Sequence, residues 1–233
     1  MLFASAATVI GPAHWEACEP NQDAVLLRGH RGGWFLAVAD GLGSRQLSHV
    51  GSRLAVRTAY RSLRNGLIER STREAIQGFY RDWLDVLPGK APGLMATTLL
   101  AASCNRDGRC VIAQLGDGLA LYRSRSGFGA VGDGRAGFVN ETAALGVTKA
   151  FSAWRFAEVE LVDPGDGVVL MTDGLADDLH PERLEGFARK LIREASKRGR
   201  RRGKRWLEQQ LAVWPTAMHA DDKTIGMICV IPK

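Results

Sequence analysis

No apolar run in this 233-residue chain approaches the roughly 18 to 20 residues that span a bilayer. The N-terminal stretch "MLFASAATVIGPAH" lacks the basic start of a secretory leader, so it reads as a first strand. The four cysteines, Cys18, Cys104, Cys110 and Cys229, include no CxxC pair, which argues against a zinc ribbon or a dithiol redox motif. The expectation is a reduced, cytoplasmic protein with Cys104 and Cys229 as buried apolar residues in strands. There is no GxSxG, and no cysteine in a recognisable nucleophile setting. "GRRRGK" at 199–204 falls one residue short of a phosphate-binding P-loop and follows no strand. "GFGAVG" at 127–132 fits GxGxxG but runs into Asp133, Gly134 and Gly137 where a helix should begin, so it reads as a loop. With no fixed-period repeat and no linker, the chain reads as one domain, 1–233.

The hydrophobic content of 45% is that of a folded protein and excludes wholesale disorder. The net charge of +6 is local in origin. Residues 189–205, "RKLIREASKRGRRRGKR", hold ten Lys or Arg against one Glu, a local +9 that leaves the rest of the chain at −3. A solvated helix face with a turn is the preferred reading of this segment. A patch for an acidic partner is the second, and nucleic-acid binding is disfavoured because only Trp206 is near to offer stacking.

Strand-like segments fall at 3–10, 23–29 and 34–40, followed by helical spacing over 48–64 and 72–87. Pro88, Gly89, Pro92 and Gly93 then interrupt the chain. Strands resume at 95–104, 110–116, 119–124, 153–162 and 167–173, then helices at 181–197 and 204–213, and a last strand at 224–231. Strands, two helices, strands, two helices and a strand predict an α+β protein in which helix pairs cover antiparallel sheets.

Three apolar runs end on Asp-Gly-Leu: "AVADGL" (37–42), "AQLGDGL" (113–119) and "LMTDGL" (170–175). A hairpin turn accounts for Asp117. Asp40 and Asp173 differ, because each closes a run apolar on both faces and the chain then turns helical. Such a carboxylate is costly to ionise without compensating positive charge, and neither motif places a Lys or Arg beside it. Asp23 opens a strand, and Asp221 and Asp222 precede the last one. Acidic oxygen ligands at several strand ends, with no histidine cluster to favour a softer metal, predict Mg²⁺ or Mn²⁺ acting on phosphate.

In this order, "NQDA", "VADGLGS…GSRLA", "ATTLLAA", "LGDGLALY", "LMTDGLAD" and "ADDKTIGMI" resemble the PPM (PP2C-type) metal-dependent protein serine/threonine phosphatases, from about residue 8 to 231. "GPAHWEACEPNQDA" and "NET" (140–142) look closer to the bacterial PphC-like branch. The resemblance implies four α-β-β-α layers, a central antiparallel β-sandwich flanked by helix pairs, with two Mn²⁺ or Mg²⁺ ions at one end. Carried over, Asp40 matches the bridging carboxylate and Gly41 the residue that offers its backbone carbonyl. Asp173 and Asp221 match the ligands of one ion; Asp221 fits better than Asp222, lying three residues before Thr224. Asp23 matches the acidic residue near the second ion, and Asp117 the ligand of a weaker third, so turn and ligand can both hold there. Asp40, Asp173 and Asp221 are accordingly the catalytic candidates. The chain departs at Cys18, where relatives place a phosphate-gripping arginine, at Gln22 for an acidic residue, and at Leu42 for a histidine. His14 is the histidine placed to contact phosphate in their stead. The implied partners are a phosphorylated protein substrate and a cognate kinase. The alternatives are a catalytically weak relative that binds a phosphorylated partner, and nucleic-acid binding through the basic segment.

Overall fold

The computed structural model describes residues 1–132, 143–215 and 220–232; the NET motif at 140–142 lies outside them. Two antiparallel five-stranded sheets pack face to face. One has the order β1 (Leu2–Val9), β10 (Lys223–Val230), β9 (Gly167–Met171), β6 (Leu119–Ser124) and β7 (Gly127–Ala130). The other has the order β2 (Asp23–His30), β3 (Gly33–Asp40), β4 (Leu99–Cys104), β5 (Arg109–Leu115) and β8 (Arg155–Glu160).

The period-2 geometry of a strand explains why β3 is apolar on both faces. Leu36 and Val38 point between the sheets with Leu100, Ile112, Leu170 and Ile228. Phe35, Ala37 and Ala39 point the other way, against α2 (Ser48–Glu69) and α3 (Thr72–Val86). On the opposite outer face, Phe3, Val169 and Met227 meet Leu191 and Leu207 of α5 (Leu184–Ala212). The layers are therefore helices, sheet, sheet, helix, as the α+β reading anticipates.

Local chemistry sets the helix ends. Ser71 separates α2 from α3 as an N-cap: its Oγ accepts the Glu74 N–H at 3.3 Å and donates to the Glu74 carboxylate at 2.8 Å. The helical periods at 181–197 and 204–213 join in one element broken at Gly199, whose φ of 69° and ψ of 173° are not helical.

Two readings are corrected. "GFGAVG" is not wholly a loop: Gly127–Ala130 forms β7, an edge strand paired with β6 across a tight turn, which short glycine-rich sequence does not signal. Cys104 is buried as expected, but it forms a disulfide with Cys110. Strand pairing sets these residues opposite each other across the β4–β5 hairpin, and spacing alone does not show that facing. No described helix is long and apolar enough to cross a membrane.

Candidate active site

The antiparallel register of β2 and β3 sets Asp23 opposite Asp40 at one end of the sandwich. At the same end β9 runs through Thr172 into the single helical turn α4 (Asp173–Ala176), so Asp173 begins that turn. The β5–β6 turn brings Asp117, and the segment before β10 brings Asp221. A cavity of about 210 Å³ is lined by Asp40, Gly41, Asp117, Asp173 and Asp221, together with His14, Gln22, Leu42, Gly43 and Thr98. Asp23 lies behind this lining, 4% exposed. Every acidic residue expected from the sequence is thus at or next to one cavity.

Glycine follows the aspartates because neighbouring backbone crosses there. A Cβ on Gly174 would sit 2.1 Å from the Asp222 carbonyl oxygen, and one on Gly41 would sit 2.7 Å from Ser48. Backbone and hydroxyl donors then fix the carboxylates. Asp173 Oδ1 accepts the Gly174 N–H at 2.7 Å. Asp23 Oδ2 accepts the Thr172 hydroxyl at 2.8 Å. Around Asp40, the Thr97 hydroxyl and the Thr98 N–H both donate to its main-chain carbonyl at 2.8 Å.

The electrostatics are those of crowded negative charge. Burial, followed by repulsion from Asp23 and Asp173, holds the Asp40 carboxyl well above the usual range, and it shares a hydrogen bond with Asp173. Burial pushes Asp23 up to about 8, against opposing hydrogen bonds from Thr224 and Thr172 and with added repulsion from Asp222 and Asp173. Asp173 rises to about 6 through burial and then the charge of Asp117. Several carboxyls that resist ionisation side by side, with main-chain oxygens beside them, form a donor set of hard oxygens. That set fits divalent cations such as Mg²⁺ or Mn²⁺.

One cation escaped the sequence reading. Lys223, buried at the start of β10, donates from Nζ to the Asp221 carbonyl at 2.9 Å. Burial lowers its pKa, and the negative charges of Asp178, Asp221, Asp222 and Asp23 oppose that shift. The clue was the Asp-Asp-Lys run before an apolar strand. Among the described residues this ammonium still leaves the acidic groups in excess.

Asp221 and Asp222 divide their work. The Asp221 side chain is 52% exposed toward the cavity, whereas that of Asp222 is 1% exposed. Asp222 accepts the Gly11 N–H at 2.7 Å and the Gln22 N–H at 2.6 Å, and lies 3.0 Å from His14 Nδ1. It therefore ties α1 (Pro12–Glu16), an element the sequence did not signal, to the start of β2 and the approach to β10. His14 sits on that short helix and reaches the cavity wall. His14, Asp221 and Asp222 can also bring their ligand atoms within 4.8 Å of one another. Gln22 Oε1 accepts the Ser48 hydroxyl at 2.9 Å, and Cys18 is exposed.

Residues 10–212 match the family described as Protein phosphatase 2C. No curated protein sequence matches the chain. The solved structures it resembles include PppA, a regulatory component of the type VI secretion system in Pseudomonas aeruginosa, at 18% identity and a TM-score of 0.68, covering 98% of this chain and 97% of that one. The catalytic domain of the serine/threonine protein phosphatase PstP, in complex with two manganese ions, is similar at 19% identity and a TM-score of 0.66 over 99% of both chains. The PPM Ser-Thr phosphatase MsPP from Mycobacterium smegmatis, in complex with cacodylate, is similar at 22% identity and a TM-score of 0.66 over 97% of both. At these identities the likeness to the solved structures is one of fold.

Proposed function

The chain belongs to the protein phosphatase 2C family of metal-dependent serine/threonine protein phosphatases, and on that premise we propose that it hydrolyses phosphoserine and phosphothreonine in proteins at the acidic cavity. The observation that carries this is the convergence of Asp40, Asp117, Asp173 and Asp221 on one cavity backed by buried Asp23. We read residues 1–233 as one catalytic domain of the bacterial PphC-like branch. Asp40, Asp173, Asp221, Asp23 and the Gly41 carbonyl would hold two divalent cations, Mn²⁺ or Mg²⁺, and Asp117 would hold a weaker third. Cations held there supply a water acidified to the point of attack near neutral pH, and positive charge toward the phosphoryl oxygens.

The chain's own residues orient the rest. Asp40 is in charge contact with both Asp23 and Asp173, and would be the carboxylate shared by the two cations. Gln22 commits Oε1 to Ser48, which leaves its NH₂ as the donor for a phosphoryl oxygen in place of the arginine absent at Cys18. His14 lines the cavity with Nδ1 3.0 Å from Asp222 and Nε2 3.9 Å from Glu19, and would meet phosphate from the cavity wall. No described cysteine lines the cavity, in keeping with direct attack by water and no covalent phospho-enzyme. A cognate kinase supplies the phosphoprotein, and the cytoplasm, where such kinases act, is the location we infer.

The test is hydrolysis of p-nitrophenyl phosphate with EDTA, Mg²⁺ and Mn²⁺ in parallel. Turnover appears with metal and vanishes in EDTA; equal rates in all three contradict the reading.

A further inference from the structure

β1 and β2 are edge strands of their two sheets and run close together along one side of the sandwich. A groove of about 580 Å³ runs between them. Its floor is small and apolar, Ala4 and Ala6 from β1 and Val25 and Leu27 from β2, and its rim is cationic, Arg200, Arg201 and Lys204. The rim follows directly on the break at Gly199, which swings the second half of α5 over the sheet edge. Ser5 also lines the groove, 2% exposed, and its Oγ has no hydrogen-bond partner.

The two halves of the basic segment differ in charge balance. Before the break, Glu194 pairs with Arg193, Lys197 and Arg198. After it, Lys204 meets Glu208 at 3.5 Å, and among the described residues neither Arg200 nor Arg201 has an ion-pair partner. Arg200 instead lies 4.7 Å from the centroid of the Trp34 ring, which covers that ring's face. With an apolar floor and no open aromatic face, the groove suits a peptide better than stacked bases.

The groove also points at the cavity. Val25 and Leu27 follow Asp23 along β2, and Ser5 precedes Val9, which pairs with Lys223 beside Asp221. At about 3.3 Å per residue, the groove lies roughly 7–17 Å from the cavity end of the two strands, a span of roughly two to five extended residues.

We propose that this groove holds the acidic flank of a phosphoprotein substrate whose phosphorylated residue occupies the acidic cavity. The acidic side chains stand roughly two to five residues from the phosphoserine or phosphothreonine. This deepens, and rests on, the phosphatase reading above. The rim draws the flank in by charge.

The test compares fluorescent peptides that carry a non-hydrolysable phosphonate analogue of phosphoserine, with Asp/Glu or Ser/Gln at those positions on either flank, by anisotropy in Mn²⁺. In about 0.05 M salt the acidic peptide binds about tenfold tighter than the neutral one, and in about 0.5 M salt the preference collapses. Arg201→Ser with Lys204→Ser removes the preference without changing neutral-peptide affinity. Arg201→Glu with Lys204→Glu turns it toward a Lys-rich flank, which a misfolded protein could not do. Equal affinity of the two peptides for the wild-type protein overturns the proposal, as does a preference that survives both double variants or tighter binding of a single-stranded RNA of equal charge. A parallel phosphate-release assay in Mn²⁺ separates the two claims. An acidic-flank preference without phosphate release sinks the phosphatase reading alone; release without a preference sinks the groove alone.

Discussion

Asp222→Ala removes a carboxylate that accepts two buried backbone N–H groups, from Gly11 at 2.7 Å and Gln22 at 2.6 Å. Each orphaned buried donor costs ~1–3 kcal/mol. Water entering the space left behind offsets part of this, so a loss of ~3 kcal/mol is expected. For a domain of this size each kcal/mol shifts Tm by ~2–4 °C, giving a drop of ~6–12 °C. Asp221→Ala is the matched control. The Asp221 side chain is half exposed and accepts the adjacent Asp222 N–H at 2.8 Å, so its loss changes stability by under ~1 kcal/mol, and relief of repulsion can offset even that. Both variants are melted in EDTA, so that metal binding does not enter. An Asp222→Ala protein that melts within about 2 °C of wild type, or an Asp221→Ala protein that is the less stable of the two, would refute the division of labour between the neighbours.

In EDTA, Tm should fall as pH rises from about 5 to 8. Asp23, raised to about 8, and Asp173, raised to about 6, bind protons in the folded state that the unfolded chain has already released, so stability falls with pH across that window. Mn²⁺ or Asp23→Asn should flatten the slope, and a flat profile for the metal-free wild type would contradict the buried acidic cluster. Asp117→Asn keeps a turn-competent residue, so Tm should hold while turnover falls severalfold; unchanged kinetics across a metal titration would leave Asp117 a turn residue. Trp83→Ala empties a fully buried site between α3 and the sheet and should cost ~3–5 kcal/mol by urea denaturation, with a loss under ~1 kcal/mol refuting the packing described.

The strands were legible where burial is two-sided. Runs such as 34–40 have to be apolar throughout when a sheet lies between helices and another sheet, and their closing carboxylates then stand out as unpaired charge. The site was legible for the same reason, since Asp40 and Asp173 break a hydrophobic pattern. What stayed hidden depends on contacts between distant segments. Asp222 is anchored by N–H groups 211 and 200 residues away, so its role as a clasp is not written beside it. Cys104 and Cys110 face each other only through strand register. Lys223 opens a buried strand beside Asp221 and Asp222, but Asp178 and Asp23 reach it from other segments. α1 has no buried residues of its own to impose a helical period, so His14 could be guessed at but not placed. The open edge between β1 and β2 becomes visible only once the order of both sheets is known.

The central claim is that the acidic cavity holds divalent cations, and isothermal titration of Mn²⁺ into metal-free protein tests it most directly. The account predicts two tight equivalents per chain, with a weaker third at higher concentration. Asp40→Asn, which leaves a neutral amide where a bridging carboxylate is needed, should lose the tight binding while keeping the wild-type fold by circular dichroism. Wild-type protein that takes up no Mn²⁺ or Mg²⁺, or a folded Asp40→Asn protein that binds two equivalents as tightly as wild type, would contradict it.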